Sequence, residues 1–423
     1  MKKILITTSY KKILADVFTP VGIYLRLRDR FRDTILLESS DHNSTINSYS
    51  FIGINAIGGL EIRNPGEMEI KFPNREPHKI SIDKSTNINK EIREFMDVLD
   101  FKYPAAMPVS MAQGLFGYTS YGGIHDFESI HIAKIDKNKM KPGNSQGEFV
   151  PSTFSLNLFS GKYVNTPSVR YRLYQYVIAI DHFKSELFIC ENNCEGMEGD
   201  SDLIESIIRS KDIPEYPFSN IGIVASSADE LPFEATLRNA IRRCADEDNS
   251  GIFLSTGYAQ QFTGDEFNVY RALRNINPGP HLFYFDYGDY RLFGSGHGTY
   301  LHREVEVEVN DNFESFNPLA SKIVAENAII SPKKKALLFV SSLDNHNYGY
   351  FGGSIGFLGV DGSTNQAMMV GTFLSKNGYL NGKVDIFLTA ASEADSELEN
   401  VNRELFSLSR AIEVAVINSN FNS

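Results

Sequence analysis

The chain has 423 residues, 42% of them hydrophobic, and 41 Lys and Arg against 53 Asp and Glu give a formal net charge of −12. That apolar content is enough for a large core, and the acidic balance argues against a phosphate-backbone partner, so no nucleic acid is expected. Three cysteines, Cys190, Cys194 and Cys244, are too few and too odd a set for a disulfide framework and fit a reducing compartment, which makes the cytoplasm the expected location.

The opening MKKILITTSYKKILADVF begins basic, but Thr7, Thr8 and Lys11 interrupt its apolar run before it reads as a signal segment, and no run approaches membrane-span length. Residues 17–60 alternate apolar and polar stretches (TILLESS, SYSFIGINAIGGLEI) and are read as strands, a style repeated in MAQGLFGYTSYGG. KIDKNKMKPGNSQGE begins a polar excursion, and strand signals resume at RLYQYVIAIDHF and ELFICEN. A polar segment from Asn192 to Ser226 is expected to separate two halves, 1–220 and 221–423.

Pro232 opens an expected helix with Phe233, Leu237, Ala240, Ile241 and Cys244 on one face. HLFYFDYGDYRLFGSG predicts a hairpin turning at Tyr287-Gly288-Asp289, and YFGGSIGFLGVDGSTNQAMMVGTFLSKNGYL predicts strands joined by turns at Asp361-Gly362 and Asn377-Gly378. A last helix carries Leu398, Val401, Leu405, Leu408 and Ile412 on one stripe. Strands and helices come in blocks without regular βαβ alternation, so the class is α+β with a large, mainly antiparallel sheet system.

In order, FTPVGIYLRLRDRF, ILLESS, SYSFIGIN, GLFGYTSY, GDEFNVYRALRNINPGPHLFYFDYGDYRLFGS, YFGGSIGFLGVDG and TFLSKNG resemble anthranilate synthase component I, a chorismate-utilising enzyme of tryptophan biosynthesis. The resemblance implies two interleaved subdomains with a cleft, a glutamine amidotransferase subunit as partner, and magnesium held by glutamates where the enzyme is active. It also implies cationic groups for the two carboxylates of chorismate. Several of these stations are altered in this sequence. Gly371 stands where the family has arginine, and Gly294-Ser295-Gly296-His297-Gly298 replaces Gly-Ser-Ser-Pro-Glu. Asn310 to Phe313 lacks Ile-Ala-Gly-Thr, and Lys335-Ala336 falls at the glutamate–histidine pair. Glu397 and Asn400 replace the magnesium-binding Glu-x-x-Glu, with Glu404 where lysine is usual. The family glutamine falls on Gly251 or Leu254, the Gly-Ala-Gly strand becomes VDIFLTAAS, and a turn and helix are missing near Asn347 to Gly349, which shortens the C-terminal part.

These losses predict a protein impaired or inactive on chorismate, with no catalytic residue assigned, no cofactor expected, and Glu397 as a vestigial metal position. The resemblance also implies an amino-acid pocket, most suited to an aromatic amino acid, at Glu38 and Ser39 together with Asn277, Pro278, Gly279, Pro280 and His281. There a carboxylate for an ammonium and backbone donors for a carboxylate are what an amino acid needs. The competing readings are a functional anthranilate synthase component I and a structural remnant without a ligand. Other residue sets carry weaker chemistry. His297 and His302 near Glu304 and Glu306 are five apart and point to opposite faces of a strand. Cys190 and Cys194 lack a second pair at zinc spacing, and Asp181-His182 with a distant serine lacks a nucleophile elbow.

Overall fold

The computed structural model describes residues 2–39, 49–64, 66–82, 86, 88–102, 108–120, 166–226, 232–246, 252–279, 281–297, 353–360 and 364–421. Its strands are β1 (Ile4–Leu14), β2 (Thr34–Ser39), β3 (Tyr49–Asn64), β4 (Glu67–Lys71), β5 (His78–Ser81), β6 (Leu99–Phe101), β7 (Gly114–Thr119) and β8 (Val169–Asp181), followed by β9 (Glu186–Cys194), β10 (Phe218–Ser226), β11 (Ile252–Gly264), β12 (His281–Asp286), β13 (Arg291–His297), β14 (Ser354–Gly359), β15 (Thr364–Lys376) and β16 (Tyr379–Leu388). Six α-helices accompany them among the described residues: α1 (Pro20–Leu27), α2 (Ile88–Val98), α3 (Ser201–Ile208), α4 (Pro232–Asp246), α5 (Phe267–Ile276) and α6 (Ala394–Phe421).

The pairings run β3–β2–β12–β13–β15–β14–β7–β8 and return from β8 to β3, so these strands close on themselves. Every pairing around this ring is antiparallel. β4 and β5 extend it beyond β3, β9, β1 and β6 beyond β8, and β16, β11 and β10 beyond β15. Strands from both sides of residue 220 therefore share one sheet, and the α+β class and the interleaving of the two halves are features of the fold.

Period-2 alternation decides which side chains fill the ring and which meet the helices. Ile35, Phe283, Phe285, Leu292 and Leu374 pack inside with Phe51, Phe116, Tyr118, Tyr174, Phe357 and Met369. Their strand neighbours Leu36, Leu282, Tyr284, Phe293 and Phe373 face outward onto Tyr24 of α1, Leu237 of α4, Tyr270 of α5 and Leu408 of α6. A third cluster, with Leu60, Ile62, Met68, Phe95 and Leu115, lies beneath α2. β7 and β8 approach closely at Gly117, where an added Cβ would collide with the Arg170 carbonyl oxygen.

The helix expected at Pro232 and the last helix both form, and the turn at Asn377-Gly378 has the positive φ angles of 53° and 76° that its residues favour. The Asp361-Gly362 turn and the stretch Asn347 to Gly349, where a turn and helix are expected to be missing, lie outside the described residues. Two readings need correction. Within 17–60, Pro20–Leu27 is a helix and not a strand: Thr19 caps it, its Oγ1 accepting from the Gly22 amide at 3.1 Å, and Pro20 fits its first turn. The segment from Asn192 to Ser226 is not simply a separator, because it contains α3, capped by Asp200, and β10, which pairs with β11.

Candidate functional site

β2 and β12 lie side by side, setting Ser39 opposite His281 and Glu38 opposite Leu282. Alternation turns Glu38 to the outer face, beneath α5, and there it is buried. Tyr270 and Arg274, one helical turn apart on α5, both reach it. Tyr270 Oη donates to Glu38 Oε1 at 2.5 Å and Arg274 Nη2 donates to Oε2 at 2.8 Å, while Arg274 Nε lies 2.8 Å from Oε1. Burial and the nearby Glu38 charge raise the Tyr270 phenol well above its ordinary value, which keeps it a donor. The expected open carboxylate for a ligand ammonium is thus already paired within the fold. Sequence reasoning missed Tyr270 and Arg274, although their i,i+4 spacing in VYRALRNI was the available signal.

Asn277 ends α5, its amide donating to the Leu273 carbonyl at 2.8 Å, and its side chain turns toward α6. Asn277 Nδ2 donates to Glu404 Oε2 at 2.9 Å and lies 3.4 Å from Ser295 Oγ. Pro278 is exposed, Gly279 is buried with its amide on the Asn277 carbonyl at 2.8 Å, and Pro280 lies outside the described residues. The structure therefore brings Glu38, Ser39 and His281 together on adjacent strands, and commits Asn277 to a contact between α5, β13 and α6.

Gly371 stands opposite Ser295 of β13 and Val384 of β16. Beyond it the β13–β15 register slips, pairing Gly296 with Met369, so that Val370 is the extra residue of a bulge. A side chain begun at Gly371 would meet Glu404 Oε2 at 3.4 Å, Ser295 Oγ at 3.6 Å and Leu408 Cδ2 at 3.7 Å. The two candidates for the family glutamine fare differently: Gly251 lies outside the described residues, and Leu254 is a buried apolar residue opposite Ile386. This wall presents a carboxylate, an amide, a hydroxyl and hydrocarbon.

Among the described residues, those at the family's magnesium-binding Glu-x-x-Glu do not fit the ion. Glu397 is half-buried, Asn400 Nδ2 lies 3.5 Å from its Oε2, and Arg403 donates to Asn400 Oδ1 at 2.9 Å, so one carboxylate faces an amide held by a guanidinium. Among the described residues no group of three His, Cys, Asp or Glu is placed to hold a metal. Gly298, His302, Glu304, Glu306, Asn310 to Phe313, Lys335-Ala336 and Asn347 to Gly349 lie outside those residues.

Cys190 is buried, which pushes its thiol up to about 12, and half-buried Cys194 ends β9 with its Sγ 3.2 Å from Met197 Sδ. His182 does meet a serine, Ser50, at 2.7 Å, but that serine is fully buried and Asp181 accepts from the Lys184 amide at 2.9 Å. No helix among the described residues is long and apolar enough to cross a membrane.

The model of the chorismate binding enzyme family matches residues 144–304. Anthranilate synthase component 1 of Neisseria meningitidis is 27% identical over 303 residues, which cover 70% of this chain and 56% of that relative. The chain thus spans little more than half of that relative's length. The same enzyme of Aquifex aeolicus is 19% identical over 506 residues, covering 96% of this chain and 94% of the relative. Two solved structures share the fold. Anthranilate synthase component I of Streptococcus pneumoniae has a TM-score of 0.57 at 16% identity, covering 94% of this chain and 99% of that one. The menaquinone-specific isochorismate synthase of Escherichia coli has 0.53 at 8% identity, covering 97% and 95%.

Proposed function

We propose that this chain, a member of the chorismate-utilising enzyme family that resembles anthranilate synthase component I, uses the family scaffold to bind a ligand and not to convert chorismate. The observation that carries this reading is the Gly371 wall, where Glu404 Oε2 stands 3.4 Å from the start of any side chain at that position. Chorismate is a dicarboxylate, and a carboxylate brought against Glu404 meets a like charge where catalysis needs a cation.

The proposed ligand is a free amino acid with an aromatic side chain, held at the shelf of Ser39 and His281 and at the Asn277–Gly279 turn. Two residues before Ser39, partly buried Leu37 packs against the side chains that fill the ring and is the apolar neighbour of this shelf. Glu38 acts in this reading as a positioning residue that fixes α5 against β2. A glutamine amidotransferase subunit is the proposed protein partner, on the resemblance alone.

Calorimetry and thermal shift with tryptophan, tyrosine and phenylalanine test the proposal. A ligand that binds only the native state raises the melting temperature, and binding heat with one of the three is expected. Neither heat nor stabilisation with any of them would leave the scaffold a structural remnant.

A further inference from the structure

The mouth of the strand ring, where β12 turns into β13, is filled by polar side chains outside the site described above. Tyr287 and Tyr290 of the turn stand with ring centroids 5.1 Å apart, and the Arg170 guanidinium lies 4.3 Å from the first ring and 5.5 Å from the second. Tyr118 Oη lies 2.8 Å from Tyr290 Oη and donates to the Pro167 carbonyl at 2.8 Å. Asp33 directly precedes Thr34, which is paired with Asp286, so Asp33 and Tyr287 are the next residues along both strands. Its Oδ2 accepts from Arg172 Nε at 3.1 Å.

Four buried atoms in this cluster have no hydrogen-bond partner among the described residues: Arg170 Nε, which has the Glu61 carboxylate 3.3 Å away as an ion pair, and Tyr174 Oη, Tyr287 Oη and Asp33 Oδ1. Both tyrosines belong to the cluster of side chains that fills the ring. Burial raises both phenols well above their ordinary range, so each remains an O–H donor. With Arg170 Nε facing Glu61, the two phenol donors and the Asp33 acceptor are the groups left bare, which is costly in a core, whereas a buried water is stable with about two to four polar partners.

We infer that a structural water site lies at this mouth of the ring, bridging Tyr174 Oη, Tyr287 Oη and Asp33 Oδ1. The phenols donate to the water oxygen, and the water donates to the carboxylate. The charges around it favour a neutral occupant. Arg63, Arg170 and Arg172 face Asp33, Glu61 and Asp289, with Arg172 Nη2 donating to Glu61 Oε2 at 2.5 Å and Arg170 Nη1 to Asp289 Oδ1 at 3.2 Å. A bare anion would meet the carboxylates and a bare cation the guanidiniums.

The test combines Tyr174→Phe and Tyr287→Phe with a crystal structure of the unaltered chain at high resolution. Removing a hydroxyl that is bonded to water lowers the urea midpoint, whereas removing one left dry leaves it unchanged or raises it. A lower midpoint for both variants is expected, with a density peak within about 3.2 Å of all three atoms. Unchanged or raised midpoints, an empty site, or bromide replacing the peak in soaked crystals would each overturn the inference. Because the map is read on the unaltered protein, it decides the matter even if a variant fails to fold.

Discussion

Arg274 reaches Glu38 from one turn beyond Tyr270, Nη2 to Oε2 and Nε to Oε1, both at 2.8 Å, and so joins α5 to β2 through a carboxylate that is only 4% exposed. Breaking a buried ion pair from one side leaves the other charge uncompensated. Glu38→Ala should therefore destabilise the fold by about 2–4 kcal/mol, the lower end reflecting the partial exposure of Arg274. Urea unfolding of the variant measures this, and a loss under about 0.5 kcal/mol would show the pair to be dispensable.

Glu61 predicts an acid limb in the stability profile. Burial alone would raise its carboxyl, but Arg172 and Arg170 bring it down to about 2. A folded value below the unfolded one contributes stability that is present above the unfolded pKa of roughly 4.5 and lost as the pH falls toward 2. Glu61→Gln should flatten that limb, and an unchanged slope between those pH values would contradict the assignment.

Two glycines on neighbouring parts of the sheet should respond in opposite ways to alanine. At Gly371 a methyl group makes ordinary contacts, so Gly371→Ala should stay within about 1 kcal/mol of the unaltered chain. At Gly117 the same methyl group collides with the backbone of Arg170, and a loss of about 3 kcal/mol or more is expected. Equal unfolding midpoints for the two variants would be evidence against this account of the strand packing.

The thiols give a further check on burial. Cys190 and Cys244 are fully buried, and only Cys194 is partly accessible. A thiol reagent should label Cys194 alone in the native chain and all three in urea, as read by mass spectrometry of the labelled peptides. Native labelling of Cys190 would mean that the interior beside β9 opens.

Much of this arrangement was legible because strand alternation and turn chemistry are local. Leu36 and Leu37 are neighbours that pack into different clusters, and Asn377-Gly378 carries its turn in two residues. Closure of the ring was not legible, since β3 meets β8 and β2 meets β12 across long sequence separations that no local pattern encodes. The partners of Glu38 were not legible for the same reason: the acidic residue is visible on its strand, but Arg274 stands 236 positions away. The helix at Pro20 carries a local signal in Thr19-Pro20, a cap and first turn, but it spans only eight residues amid β-rich surroundings that mask its period.

The measurement that tests the central claim most directly is turnover of chorismate by the purified, unaltered chain with ammonia and magnesium, followed by the fluorescence of anthranilate. With glycine at 371 and the Glu404 carboxylate beside it, the account predicts no product above the uncatalysed background. Restoring one group of a cooperating set does not restore the set, so Gly371→Arg should be equally silent. Sustained anthranilate formation by the unaltered chain would contradict the account and make it an enzyme whose catalytic groups lie outside the wall described here.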